Sequence, residues 1–196
     1  MTRIEISRRS LTTLPNVLTY IRMAIIPLLV VILTPPVPES SLNLAALLFL
    51  LASLTDYLDG ILARRHNMVT SIGKLLDPLA DKLLTCAVLI MLLPLGKVES
   101  WIVFLIVGRE IAITGLRSIA ASVGFIIQAS RLGKNKMVSQ TIALSLLLLC
   151  VPPYQTILDF LGTAFLYISL VLGYWSAMDY FVNFYRAAKN QRKKEE

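Results

Sequence analysis

An all-α membrane protein, a polytopic bundle of six transmembrane helices, is the fold class that three observations predict. Hydrophobic residues make up 56% of the 196-residue chain, charged residues only 16%, and the apolar runs repeat at about the ~20 residues that a bilayer span needs. Soluble domains carry about 25% charged residues, and the mean hydropathy here is +0.72. The first helix, 14–34, follows the basic segment Arg3, Arg8, Arg9 and stops at Pro35, Pro36 and Pro38, whose rings break a helical ladder. A secretory signal would also begin this way, but prolines and Glu39 stand where small cleavage-site residues belong, so a retained helix is expected. The second helix, 42–66, runs into the Arg64-Arg65 turn. The third, 74–94, ends at Pro94, and the fourth covers 100–122. Pro152-Pro153 separate the fifth, 134–151, from the sixth, 155–186, after which a short basic tail occupies about 187–196. Residues 1–196 read as one domain.

Even spans place both termini on one side. On that side fall Arg3, Arg8 and Arg9, the Arg64-Arg65 turn with Lys74, the loop bearing Arg131, Lys134 and Lys136, and the tail from Arg186 to Lys194; the opposite loops offer only Lys97. That asymmetry predicts cytosolic termini. It also accounts for the net charge of +7 without nucleic acid, because basic residues line the anionic leaflet of membrane lipids. Cys86 and Cys150 lie in apolar spans with no paired spacing and read as free packing residues.

The second and third helices carry the chemistry. Asp56, Asp59, Gly60 and Ala63 recur at three and four residues and share one helix face; Gly73, Asp77 and Asp81 recur at four and share one face of the next helix. A short turn joins the two, so their acidic faces can converge near the cytosolic end. Carboxylates at membrane depth are costly, and close ones repel. Any one of them could cap a helix or pair with Arg64, Arg65, Lys74 or Lys82. Together the four ask for cations: two Mg²⁺ or Mn²⁺ ions held by these acids would clamp a pyrophosphate, in the manner of two-metal phosphoryl transfer. Gly60 and Ala63 leave the backbone open to a flat group such as a nucleotide. Arg64 can fork onto phosphate oxygens. Asn16 and Thr19, one turn apart behind Pro15, fit either helix capping or support of the nucleotide or a metal. His66 falls in the cytosolic turn and reads as solvated.

The spacing D-x2-D-G-x2-A-R-x8-G-x3-D-x3-D, filled by Asp56, Asp59, Gly60, Ala63, Arg64, Gly73, Asp77 and Asp81, resembles the signature of the CDP-alcohol phosphatidyltransferases at every fixed position. The resemblance implies a six-helix enzyme, often a homodimer, in the bacterial cytoplasmic (inner) membrane with its active site facing the cytosol. Such enzymes displace CMP from a CDP-linked lipid with an alcohol, using two divalent cations. It further implies that Asp56, Asp59 and Asp77 are metal ligands, and that Asp81 is both a neighbour of that ligand set and the general base.

A second set of residues concerns the alcohol. Arg109 and Arg117 are eight residues apart in the fourth helix, about 12 Å along its axis, and Lys134 and Lys136 open the fifth. These cations suit an acceptor that itself carries a phosphate. Structural alternatives stay open: Arg109 with Glu110, or Glu110 with Arg117, could only brace the bundle, and the loop cations could be positive-inside anchors. Arg109-Glu110 with Leu116-Arg117, the Gly133-Lys134-Asn135-Lys136 run with Gln140, the opening Pro15-Asn16 to Arg22, and Trp175 to Phe181 resemble the branch of the family whose acceptor is glycerol 3-phosphate. Met137 in place of threonine and Ala177 in place of glycine depart from that branch. The resemblance implies CDP-diacylglycerol as donor and glycerol 3-phosphate as acceptor. Sister enzymes using inositol phosphate, phosphatidylglycerol or serine are the nearest rivals. A cation transporter is the rival of another class, and it needs a polar path continuing beyond the bunched acids. Asp179 reads as a structural or dimer-facing charge.

Overall fold

A computed structural model describes the backbone at residues 14–66, 71–122 and 131–195, and the side chains at 19–55, 79–122, 132–186 and 189. Six α-helices and no strand make up the described residues: α1 (Leu14–Ile32), α2 (Glu39–His66), α3 (Ser71–Met91), α4 (Ser100–Ser122), α5 (Arg131–Leu148) and α6 (Gln155–Glu195). The all-α class and the helix order follow the sequence expectation; several ends do not. α2 starts at Glu39 because Pro38 seats it: the Pro38 carbonyl accepts the N–H groups of Ser41 at 2.9 Å and Leu42 at 3.3 Å. α3 and α5 begin and end earlier than the apolar runs that marked them, since a polar first turn can be helical without being apolar. α6 runs past the expected end at 186, because Ala187, Ala188, Lys189, Gln191, Arg192 and the lysines beyond favour helix once it is started. Pro27 lies inside α1, where its missing N–H forfeits one ladder bond. Among the described residues, one helical stretch, Gln155–Arg186, is long and apolar enough to cross a membrane; Thr19–Ile32 and Glu39–Thr55 are shorter apolar helical stretches.

The chain forms two compact units, Met1–Leu95 with Leu148–Pro152, and Gly96–Leu147 with Pro153–Glu196. In the first, α1 packs on both α2 and α3, and α2 also meets α3. Ala45, Ala46, Phe49 and Ala52 of α2, Leu29 of α1, and Ala80, Leu84 and Val88 of α3 are buried; the alanines keep the helix surface low enough for close approach. Asn43 closes the unit on the segment after α5: its Nδ2 donates to the Cys150 carbonyl at 2.9 Å and its Oδ1 accepts the Cys150 N–H at 2.8 Å. Both backbone groups of Cys150 are thereby satisfied away from a helix.

In the second unit α4 packs on α6, and α5 reaches α6 where Ser139 Oγ donates to the Phe165 carbonyl at 3.0 Å. Lys97 Nζ meets Asp159 Oδ1 at 2.9 Å, and the Gln155 amide donates to both Asp159 oxygens at 2.9 Å. Among the described glycines, Gly162 makes the closest helix approach. A Cβ there would stand 2.7 Å from Leu147 Cγ and 3.2 Å from the Ala143 carbonyl, so the Leu147 side chain or the backbone of α5 beside it would have to shift. Overpacking of this kind costs about 1–3 kcal/mol. Gly162→Ala is therefore expected to lower the thermal midpoint of the detergent-solubilised protein. Gly173→Ala, whose Cβ would find Lys136 Cγ at 3.6 Å, is an ordinary contact and the matched control.

Candidate active site

The donor-side candidates all belong to the first unit. Asp56, Asp59, Gly60, Ala63 and Arg64 fall on the helical backbone of α2, Gly73 and Asp77 on that of α3, and Asn16 on that of α1; the side chains at these positions lie outside the described residues. Thr19 of α1 is buried, and Asp81 of α3 is half-buried between the buried Ala80 and Leu84. The Asp81 carbonyl accepts Thr85 Oγ1 at 2.9 Å. Since α1 packs against both acid-bearing helices, Thr19 comes from a neighbour shared by α2 and α3.

Arg22 was not singled out from the sequence as a site residue. It is 3% exposed, one turn beyond Thr19 on α1, and its Nε donates to the Ala52 carbonyl at 3.4 Å. Ala52 is one helical turn before Asp56, so a buried guanidinium is anchored to α2 just below its acidic segment. The available signal was Arg22 itself, a cation inside an apolar run, where charge needs a partner or a purpose.

The acceptor-side candidates all belong to the second unit. Arg109 and Lys136 meet on one carboxylate: Glu110 Oε1 accepts from Arg109 Nη1 at 2.8 Å and from Lys136 Nζ at 2.5 Å. Arg109 Nε also donates to the Gly173 carbonyl of α6 at 3.0 Å. Two buried cations against one buried anion leave a surplus positive charge in this cluster. Arg117 does not reach back to Glu110. It is exposed, and its guanidinium lies over the Tyr180 ring, 5.5 Å from the centroid. A face-stacked guanidinium keeps its N–H edge available for an oxyanion. Lys134 is exposed near the start of α5. Gln140 is 2% exposed, and among the described residues its Nε2 has no hydrogen-bond partner.

A family model described as CDP-alcohol phosphatidyltransferase matches residues 12–175. The chain belongs to the CDP-alcohol phosphatidyltransferase family. Three relatives share the name CDP-diacylglycerol–glycerol-3-phosphate 3-phosphatidyltransferase. The chain is 39% identical to the Bacillus subtilis protein over 187 residues, covering 90% of this chain and 97% of the relative. It is 43% identical to the Rickettsia bellii protein over 169 residues, covering 86% and 93%, and 37% identical to that of Pectobacterium atrosepticum over 173 residues, covering 85% and 92%. The match to the phosphatidyltransferase family spans both units, so donor-side and acceptor-side candidates alike fall inside it.

The acids offered by this phosphatidyltransferase fit a hard divalent cation. Aspartate oxygens suit Mg²⁺ or Mn²⁺ over softer metals. Among the described side chains no three of His, Cys, Asp and Glu gather around one point; Asp56, Asp59 and Asp77 lie outside that set, and Asp81 within it.

Proposed function

We propose that the protein transfers a phosphatidyl group from CDP-diacylglycerol to sn-glycerol 3-phosphate, forming phosphatidylglycerol phosphate and CMP. The observation that carries this is the near full-length similarity to enzymes of that name from three bacteria, together with the unbroken acid spacing of α2 and α3. The protein acts as one six-span domain in the bacterial cytoplasmic membrane, as a homodimer, with both termini and the active site on the cytosolic side.

Asp56, Asp59 and Asp77, with Asp81 beside them, would hold two Mg²⁺ or Mn²⁺ ions. Bound there, the ions supply charge neutralisation for the pyrophosphate of the donor and for the departing CMP. Gly60, Ala63 and Gly73 leave room for the nucleotide and its diphosphate, Asn16 and Thr19 support it from α1, and Arg64 pairs with the CMP phosphate. Arg117 and Lys134 hold the acceptor's phosphate, while Arg109 and Lys136, on the same two helices, are engaged by Glu110. Asp81 takes the proton from the C1 hydroxyl of glycerol 3-phosphate. That oxygen forms a bond to the β-phosphorus, and the bond between this phosphorus and the bridging oxygen breaks, its electron pair leaving with CMP. No cysteine, histidine or serine stands among the motif residues as a covalent nucleophile, so displacement is direct.

The test is CMP release by purified protein given CDP-diacylglycerol, Mg²⁺ or Mn²⁺, and one alcohol at a time. Release with glycerol 3-phosphate alone is the expected result. Release with inositol phosphate, serine or phosphatidylglycerol instead reassigns the acceptor. Ion flux across proteoliposomes without any CMP removes the protein from enzyme chemistry.

A further inference from the structure

Glu110 has no part in the mechanism above, yet it joins three helices. Its Oε1 takes Arg109 and Lys136 at 2.8 and 2.5 Å, with the three side chains 10%, 11% and 13% exposed for Arg109, Lys136 and Glu110. Arg109 extends the connection to the Gly173 carbonyl of α6. One carboxylate therefore ties α4 to α5 directly and to α6 through Arg109. The space beside this cluster, bounded by Arg109, Lys136, Ser169, Gly173 and Tyr174, is about 10 Å³. That admits at most one water and is far too small for a phosphate.

Farther along the same helices the cations are open. Arg117 lies eight residues beyond Arg109 on α4, about two turns, and Lys134 lies two residues before Lys136 on α5. Their mutual spacing is set by how α4 and α5 are held together, and among the described residues the charged contact joining those two helices is Glu110 with Lys136. We infer that Glu110 is a positioning residue for the acceptor: by gripping Arg109 and Lys136 it sets α4 against α5 and holds Arg117 and Lys134 at the separation that an acceptor phosphate requires. Arg109 and Lys136 are then members of the latch and do not touch the acceptor. This deepens the acceptor assignment of the proposed function and rests on it.

Two variants of the full-length protein in detergent micelles test the inference, by initial rates of CMP release against each substrate. Glu110→Gln keeps the shape and removes the charge. The acceptor KM is expected to rise tenfold or more, as misplacement of a binding group by about an ångström does, while kcat and the KM for CDP-diacylglycerol hold. An unchanged acceptor KM makes Glu110 a brace only, and a lowered one means that its carboxylate competes with phosphate for Lys136; either overturns the role. The charge swap Glu110→Lys with Lys136→Glu rebuilds the latch in reverse. If the latch acts through helix placement, the swap returns the acceptor KM to within about threefold of wild type. A swap that folds but binds acceptor as poorly as Glu110→Gln, or worse, shows that Lys136 contacts the acceptor. A swap that fails to accumulate shows that the pairing does not set the helices, and both results overturn the inference. Should the wild type use another alcohol, the same ratios are read with that alcohol, which separates failure of the acceptor assignment from failure of the Glu110 role.

Discussion

An Asp81→Asn enzyme is expected to release CMP about 10³-fold more slowly than wild type, within the 10²–10⁴ range that a positioned general base contributes. Asparagine has the size and shape of aspartate, and it keeps the backbone carbonyl that accepts Thr85 Oγ1. Position 81 is only half-buried, so the change is not expected to disturb the packing of Ala80 and Leu84 on either side. What asparagine cannot do is accept the C1 hydroxyl proton of glycerol 3-phosphate. The loss should therefore appear in kcat, with the KM for CDP-diacylglycerol moved far less. Because Asp81 also neighbours the proposed metal ligands, the rate is to be measured across a Mg²⁺ titration. A rate restored by saturating metal would make Asp81 a ligand and not a base, and a variant keeping most of its rate with ordinary metal dependence would defeat the base assignment.

The acid-bearing helices were legible in the sequence because their information is local. A period of three and four residues over Asp56 to Arg64, and of four over Gly73 to Asp81, is a helical face whatever surrounds it. Helix ends were less legible. Hydropathy marks where a chain is apolar, whereas a helix continues wherever residues tolerate it, so α6 carries on through Lys189 and Arg192 to Glu195 and α2 begins at Glu39 on the Pro38 carbonyl. The acceptor side was legible as an inventory of cations and not as an arrangement. Arg109 with Glu110 could be weighed as an internal pair because the two are adjacent. Lys136 on the same oxygen is 26 positions away, and no local pattern predicts it. The other suggested partner of Glu110, Arg117 one heptad on, goes instead to Tyr180, a choice made by the packing of α4 on α6. Buried Arg22 shows the same limit, since its carbonyl partner Ala52 lies 30 positions away.

Neutralising both outer cations, Arg117→Met with Lys134→Met, is expected to raise the acceptor KM about a hundredfold and to leave the KM for CDP-diacylglycerol within a fewfold. A hydrogen bond to a charged group is worth about 1.5–3 kcal/mol, and both side chains are exposed, which argues for the low end, near tenfold for each. Methionine preserves the length of the apolar stem, so lost packing contributes little to the change. Arg117→Lys separates charge from geometry. The ammonium keeps the charge but loses the planar fork and the stack over Tyr180, so an intermediate KM is expected. Tyr180→Phe keeps the ring face and should behave as wild type, whereas Tyr180→Leu should shift the acceptor KM in the direction of Arg117→Lys. Rates of CMP release against glycerol 3-phosphate at two salt concentrations complete the measurement. Added salt should weaken acceptor binding in wild type through screening of these exposed charges, and the double variant should have lost most of that sensitivity. If the two KM values rise together, or the salt response survives without Arg117 and Lys134, the acceptor's phosphate is bound elsewhere.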